Sequence, residues 1–154
     1  MLREVDMTPL TTTLTTNNST LKPPNVLLIE DYSDTRQMIS LLLTRRGYNV
    51  IEAADGIQGL LKASWERPDL ILMDLALPEM DGVEVTRRIL AMPKLAGIPI
   101  IVLSAYLNKE VERDVLAAGC VEVFSKPFDA ASFLECIRLT LERRTSEKQL
   151  ALTL

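Results

Sequence analysis

The chain has 154 residues, 47% of them hydrophobic and 25% charged, with a formal net charge of −4 and no histidine. That length suits one packed core with tails. The acidic balance argues against direct, sequence-independent nucleic-acid binding, and the lack of histidine excludes histidine-based acid–base chemistry, histidine metal ligation and a phosphohistidine carried by this chain.

Within residues 1–24, the stretch Thr8 to Pro24 is rich in Thr, Asn and Pro and shows no apolar periodicity, which predicts a flexible arm over 1–24 ending at Pro23-Pro24. Val26-Leu27-Leu28-Ile29 is a continuous apolar run, as expected of a strand buried on both faces, and it ends in Glu30-Asp31. Ser33 or Asp34 is then placed to cap a first helix, with Met38, Ile39 and Leu42 sharing a face and Gly47 as its stop. Its run Leu41-Leu42-Leu43 has more apolar residues than one face needs, so core packing and contact with a partner protein both stand as uses for it. A short strand is predicted over 49–53 and a second helix from Gly56 to Arg67, closed by Pro68. Leu70-Ile71-Leu72-Met73 is a second fully apolar strand, ending in Asp74 and followed by the turn Leu77-Pro78-Glu79-Met80-Asp81-Gly82 and a helix to Ala91. Ile98 to Leu103 reads as another buried strand, ending in Ser104. Asn108 caps the next helix, which stops at Gly119. Val121 to Ser125 is the fifth strand, ending in Lys126-Pro127, and a last helix runs from Ala130 to about Arg144. Residues 145–154 read as a tail or a frayed extension of that helix.

Five consecutive strand–helix units predict an α/β fold, a parallel sheet with helices on both faces. Five strands with short connections suit a flavodoxin-like doubly wound sheet of order 2-1-3-4-5. No apolar run approaches the ~20 residues that span a bilayer, and no basic-then-apolar leader is seen, so the expected location is cytoplasmic and not membrane. Cys120 and Cys136 lack zinc-site or C-x-x-C spacing and read as reduced, mostly buried thiols.

In such a sheet, functional groups gather outside the carboxyl ends of the strands. Those ends carry Glu30 and Asp31, Asp74, Ser104 and Lys126, and the order 2-1-3-4-5 makes their four strands neighbours. Three clustered carboxylates repel one another and call for a cation. All-oxygen donors of this hardness suit Mg2+, with Asp31 and Asp74 as direct ligands and Glu30 acting through water. A carboxylate beside Mg2+ and facing a lysine and a hydroxyl can attack phosphorus to form an aspartyl phosphate. Lys126 would neutralise phosphoryl oxygens and Ser104 would donate to one of them.

The stretches VLLIEDYSDTR at 26–36, LILMDLALPEMDG at 70–82, IIVLSA at 100–105 and AAGCVEVFSKPF at 117–128 resemble the receiver domain of bacterial response regulators, the CheY-like family. The spacings agree as well: 43 residues from Asp31 to Asp74, 30 to Ser104 and 22 to Lys126. The resemblance spans about 25–144, nearly all of the ordered chain. It implies a phosphoacceptor at Asp74, Mg2+ ligands at Asp31, Asp74 and the backbone carbonyl of Ala76, a switch hydroxyl at Ser104, a phosphate-binding Lys126 and a cis peptide before Pro127. The Glu30 of the acidic pair is a common variant. At the family's switch-aromatic position stands Val123; its neighbour Phe124 points to the opposite face and is expected in the core. Tyr106, two residues after Ser104, is a candidate shield of the phosphoryl group against water.

The implied function is a stand-alone, phosphorylation-switched signalling protein of a two-component or phosphorelay system. It would take its phosphoryl group from a histidine kinase or histidine phosphotransfer protein and signal by protein–protein contact to a downstream target. A second copy of the chain is a further candidate partner. Helix 4, strand 5 and helix 5 usually form the responsive surface in the family. On the last helix Phe133, Cys136, Ile137 and Leu141 share an inward face, and Leu139 lies opposite. No catalysis beyond self-phosphotransfer and self-dephosphorylation is expected. A receiver-fold module working without phosphorylation is one alternative, kept open by Val123. A phosphatase of the haloacid dehalogenase type is another, opposed by Ala76, where that chemistry needs an acid.

Overall fold

The computed structural model describes residues 22–154, so the arm expected over 1–24 lies outside the described residues except for its last three. The strands are β1 (Asn25–Ile29), β2 (Asn49–Ala53), β3 (Leu70–Asp74), β4 (Ile100–Ser104) and β5 (Glu122–Ser125). They alternate with α1 (Ser33–Thr44), α2 (Gly56–Glu66), α3 (Gly82–Ala91), α4 (Lys109–Ala118) and α5 (Ala130–Thr153). All four strand pairings are parallel, in the order β2-β1-β3-β4-β5, a flavodoxin-like fold as the alternation predicts.

Side-chain alternation along the strands divides the interior in two. Leu27, Ile29, Ile71, Met73, Ile100 and Val102 meet Ala63 of α2, Val85 and Ile89 of α3 and Val115 of α4. Val26, Leu28, Leu70, Leu72, Ile101 and Leu103 meet Ile39 and Leu43 of α1 and Phe133, Leu134, Ile137 and Leu141 of α5. This two-sided burial is the reason that β1, β3 and β4 are continuously apolar. The edge strands β2 and β5 instead carry the exposed residues Asn49, Glu52 and Glu122, which discourage further strand pairing.

Several boundaries differ from the sequence expectation. β4 begins at Ile100 rather than Ile98, because Ile98 N donates to Leu95 O and Pro99 has no N–H to give the ladder. Tyr32, not Ser33 or Asp34, is the N-cap of α1, with no side-chain cap bond. The buried stripe of α1 is Ile39 and Leu43, four residues apart. Met38 lies about 100° round the helix from Ile39 and is 57% exposed, and Leu41 is also exposed. Asn108 does cap α4, accepting from Val111 N at 2.9 Å, and Gly119 ends it at φ 111°, where a Cβ would be strained.

Helix α5 does not stop at Arg144 but runs unbroken to Thr153. Residues 145–153 contain no Gly or Pro to break it. Arg144 Nη1 donates to Pro68 O at 2.9 Å, and Arg144 and Lys148 lie 3.9 and 3.8 Å from Asp69 Oδ1, which ties the added turns to the β3 end of the sheet. No helix among the described residues is long and apolar enough to cross a membrane.

Both cysteines are free, Cys120 buried and Cys136 half-buried. Burial pushes the Cys120 thiol up to about 11. At pH 8 it should react with a thiol reagent roughly a hundredfold more slowly in the native protein than in the urea-unfolded chain. Peptide mapping of the labelled protein checks this, and equal rates would show that the core does not protect it.

Candidate phosphoacceptor site

The strand ends converge as the topology requires. Beyond β1, Glu30 N donates to Ala53 O at 3.0 Å, so the ladder continues one residue past the strand and carries the Glu30 side chain inward. Glu30 is 1% exposed and Asp74 4%, whereas Asp31 is exposed. Carboxylate oxygens of Glu30, Asp31 and Asp74 all lie within 4.8 Å of one another. Ser104 is buried at the end of β4.

Lys126 is held where it can face this cluster. Its backbone N donates to Ser104 O at 2.7 Å, and the Lys126–Pro127 peptide is cis. Its ammonium donates to Glu30 Oε2 at 2.7 Å and lies 3.6 Å from Asp74 Oδ1. One ammonium thus serves two buried carboxylates, with the third near by. Burial holds the Glu30 carboxyl above the usual carboxylate range. The Asp74 charge adds to the rise, and the Lys126 hydrogen bond opposes it.

The segment after Asp74 is equally constrained. Ala76 N donates to Asp74 Oδ1 at 3.2 Å, Leu75 N to Leu103 O at 3.1 Å and Gly82 N to Leu75 O at 3.1 Å. A Cβ at residue 82 would stand 2.7 Å from Asp74 O and 2.8 Å from Leu75 Cα, both backbone atoms, so only glycine fits where α3 begins. Asp81 then caps α3 by accepting from Glu84 N.

Sequence reasoning placed Glu30, Asp31, Asp74, Ser104 and Lys126 in one crevice; the structure groups the carboxylates of Glu30, Asp31 and Asp74 with the Lys126 ammonium and sets Ser104 at the end of the neighbouring strand β4. Tyr106 stands two residues beyond Ser104. Its N–H donates to Ser104 Oγ at 3.2 Å, but the residue is 86% exposed, so its ring does not cover the carboxylates in this conformation. Val123 is half-buried against the α2–α3–α4 side of the core. Phe124 turns to the other side and packs edge-on to Phe133, with centroids 5.5 Å apart, as core rather than site.

Arg36 was missed by sequence reasoning. Its Nη1 donates to Glu30 O at 2.8 Å and to Asp31 O at 3.3 Å, and its Nε lies 3.8 Å from Glu52 Oε1. The available signal was its position on the first turns of α1, six residues after Glu30.

The donor set fits a hard divalent cation: three carboxylates, two of them buried, with a single ammonium against them.

The chain is similar to known proteins. The response regulator receiver domain family matches residues 26–138. The polar-differentiation response regulator DivK of Brucella anthropi is 35% identical over 116 residues, covering 75% of this chain and 94% of DivK. Chemotaxis protein CheY4 of Vibrio cholerae superposes with a TM-score of 0.73 at 30% identity, covering 77% of this chain and 98% of CheY4. The receiver domain of a sensor histidine kinase from Pseudomonas aeruginosa, solved with a magnesium ion coordinated in its active site cleft, superposes with a TM-score of 0.73. It is 34% identical and covers 78% of this chain and 98% of its own.

Proposed function

This chain belongs to the response regulator receiver domain family, and from that premise we propose that it is a phosphorylation switch of a two-component or phosphorelay system with Asp74 as the phosphoryl acceptor. The observation that carries the proposal is the Lys126 ammonium set between buried Glu30 and Asp74, at 2.7 and 3.6 Å. An isolated strand-end aspartate would need no such partner. Here the partner neutralises charge at the position a phosphoryl group would take.

In the proposed reaction an Asp74 carboxylate oxygen attacks phosphorus and forms the new P–O bond. The bond from phosphorus to the donor's imidazole nitrogen breaks, and that nitrogen keeps the electron pair. Lys126 and the Ser104 hydroxyl bind the phosphoryl oxygens, and the Ala76 N–H and the ladder bond of Leu75 hold Asp74 in place. Asp31 and Asp74, with the Ala76 backbone carbonyl, would hold Mg2+, and Glu30 would act through water. When bound, the ion supplies positive charge against the phosphoryl oxygens.

The proposed donor is a histidine kinase or histidine phosphotransfer protein, the class of partner that receiver domains of response regulators generally meet. Output is contact with a downstream protein. Leu116 of α4, Val121 just before β5 and Leu139 of α5 are all exposed on the elements that would respond. Incubation with Mg2+ and a small-molecule phosphodonor, followed by intact-mass measurement, tests the proposal. One added phosphoryl group is expected, and no addition from either a small donor or a kinase would favour a module that works without phosphorylation.

Tyr106→Ala should change the rate of phosphoryl loss by no more than about twofold, because an exposed ring is worth within ~0.5 kcal/mol. A several-fold faster loss in a phosphate-release assay would show that the ring closes over the phosphoryl group after all.

A further inference from the structure

Glu30 and Asp31 sit in the short connection between the end of β1 at Ile29 and the start of α1 at Ser33. This connection has left the sheet, apart from the single bond from Glu30 N, and has not yet entered the helix. Its carbonyls therefore need donors from elsewhere. Tyr32 O accepts the first helical bond from Arg36 N at 2.9 Å. The two carbonyls before it find their donor in one side chain: Arg36 Nη1 donates to Glu30 O at 2.8 Å and Asp31 O at 3.3 Å. The guanidinium is steadied from the other side by Glu52 at the end of β2, with Nε to Oε1 at 3.8 Å. The Arg36 side chain is only 20% exposed.

We infer that Arg36 is a positioning residue for the acidic pair: it sets the peptide planes of the β1–α1 connection and so aims the Glu30 and Asp31 carboxylates at Asp74. The orientation of a peptide plane fixes the Cα–Cβ directions on either side of it. Two adjacent carbonyls pinned by one planar guanidinium leave those directions little freedom. The guanidinium does this through backbone oxygens and Glu52. It orients the cluster without taking up the carboxylate oxygens that a cation would use. Groups that orient metal ligands from behind typically contribute 10–100-fold to metal affinity.

The inference rests on the reading of the cluster as a Mg2+ site. Mg2+ itself is the probe, titrated calorimetrically at fixed ionic strength into wild type, Arg36→Met, Arg36→Lys and Glu52→Gln, with thermal melting of each in the absence of metal. Arg36→Met keeps the apolar stem and loses every side-chain donor; its dissociation constant should rise about tenfold or more. Arg36→Lys keeps the charge and some donation without the planar fork and should fall between. Glu52→Gln should cost about threefold. All should melt cooperatively above the titration temperature.

Arg36→Met binding within about twofold of wild type overturns the inference. So does Arg36→Lys binding as weakly as Arg36→Met, because the loss would then not follow donation. If Arg36→Met does not fold, Arg36→Lys and Glu52→Gln decide, and wild-type affinity in both overturns it. A wild-type chain that takes up no Mg2+ overturns the metal-site reading itself, and the inference with it.

Discussion

An Asp74→Asn variant takes up no phosphoryl group from a small-molecule donor with Mg2+, yet melts at or above the wild-type temperature in the absence of metal. The first half follows from chemistry. An amide oxygen is a poor nucleophile, and the other two carboxylates are differently placed: Glu30 is hydrogen-bonded to Lys126, and Asp31 is exposed and reaches the site from the β1–α1 connection. The second half follows from electrostatics. Without metal, Glu30, Asp31 and Asp74 repel one another across less than 4.8 Å with one ammonium among them. Asparagine keeps the side-chain oxygen that accepts from Ala76 N and removes one of the three charges. Lys126 keeps its shorter bond to Glu30. Intact-mass measurement and a melting curve on the same sample separate the two effects. Wild-type phosphoryl uptake in Asp74→Asn would move the acceptor elsewhere, and a large fall in melting temperature would mean that the site residue also holds the fold.

How much of this was legible in the chain follows from where each residue's partners come from. β1, β3 and β4 could be read because burial on both faces leaves no polar position to confuse the pattern, and Glu30, Asp31, Asp74 and Ser104 could be read because they follow or end such runs. Lys126, in contrast, follows the half-exposed edge strand β5 and was legible only from the strand–helix alternation and the motif around it. The phase of α1 was harder. Met38, Ile39, Leu41, Leu42 and Leu43 are all apolar, so composition cannot say which pair faces the sheet. The extent of α5 depends on Arg144 and Lys148 meeting Asp69 and Pro68, some 75 residues earlier in the chain. Arg36 was invisible for a different reason. Its partners are chiefly backbone carbonyls, which every residue has, so no residue type elsewhere in the chain announces the contact. Tyr106 shows the converse: its sequence position near the crevice was right, but position along a chain does not determine where an exposed ring points.

Phe133→Ala should destabilise the protein by about 3–5 kcal/mol, a large share of the ~5–15 kcal/mol typical of a domain. Phe133 is fully buried at the start of α5, with Phe128 at a centroid distance of 4.3 Å and Phe124 edge-on at 5.5 Å. Removing the ring opens a cavity and forfeits aromatic contacts worth more than their area alone. Phe124 and Phe128 bracket Lys126 in the chain, two residues before and two after it. The ring cluster is thus the packing that holds the segment presenting the ammonium to Glu30 and Asp74. The same substitution should therefore slow phosphoryl uptake even at temperatures where the variant is fully folded, because Lys126 is less firmly placed. Urea unfolding measures the first effect, and a phosphorylation time course at low temperature the second. Leu139→Ala, on the exposed side of the same helix, is the control and should shift stability by no more than ~0.5 kcal/mol. A Phe133→Ala loss below about 1 kcal/mol would mean that the rings do not form the keystone of this face. A full stability loss with unchanged uptake in the folded variant would show that the bond from Lys126 N to Ser104 O holds the ammonium in place without help from the core.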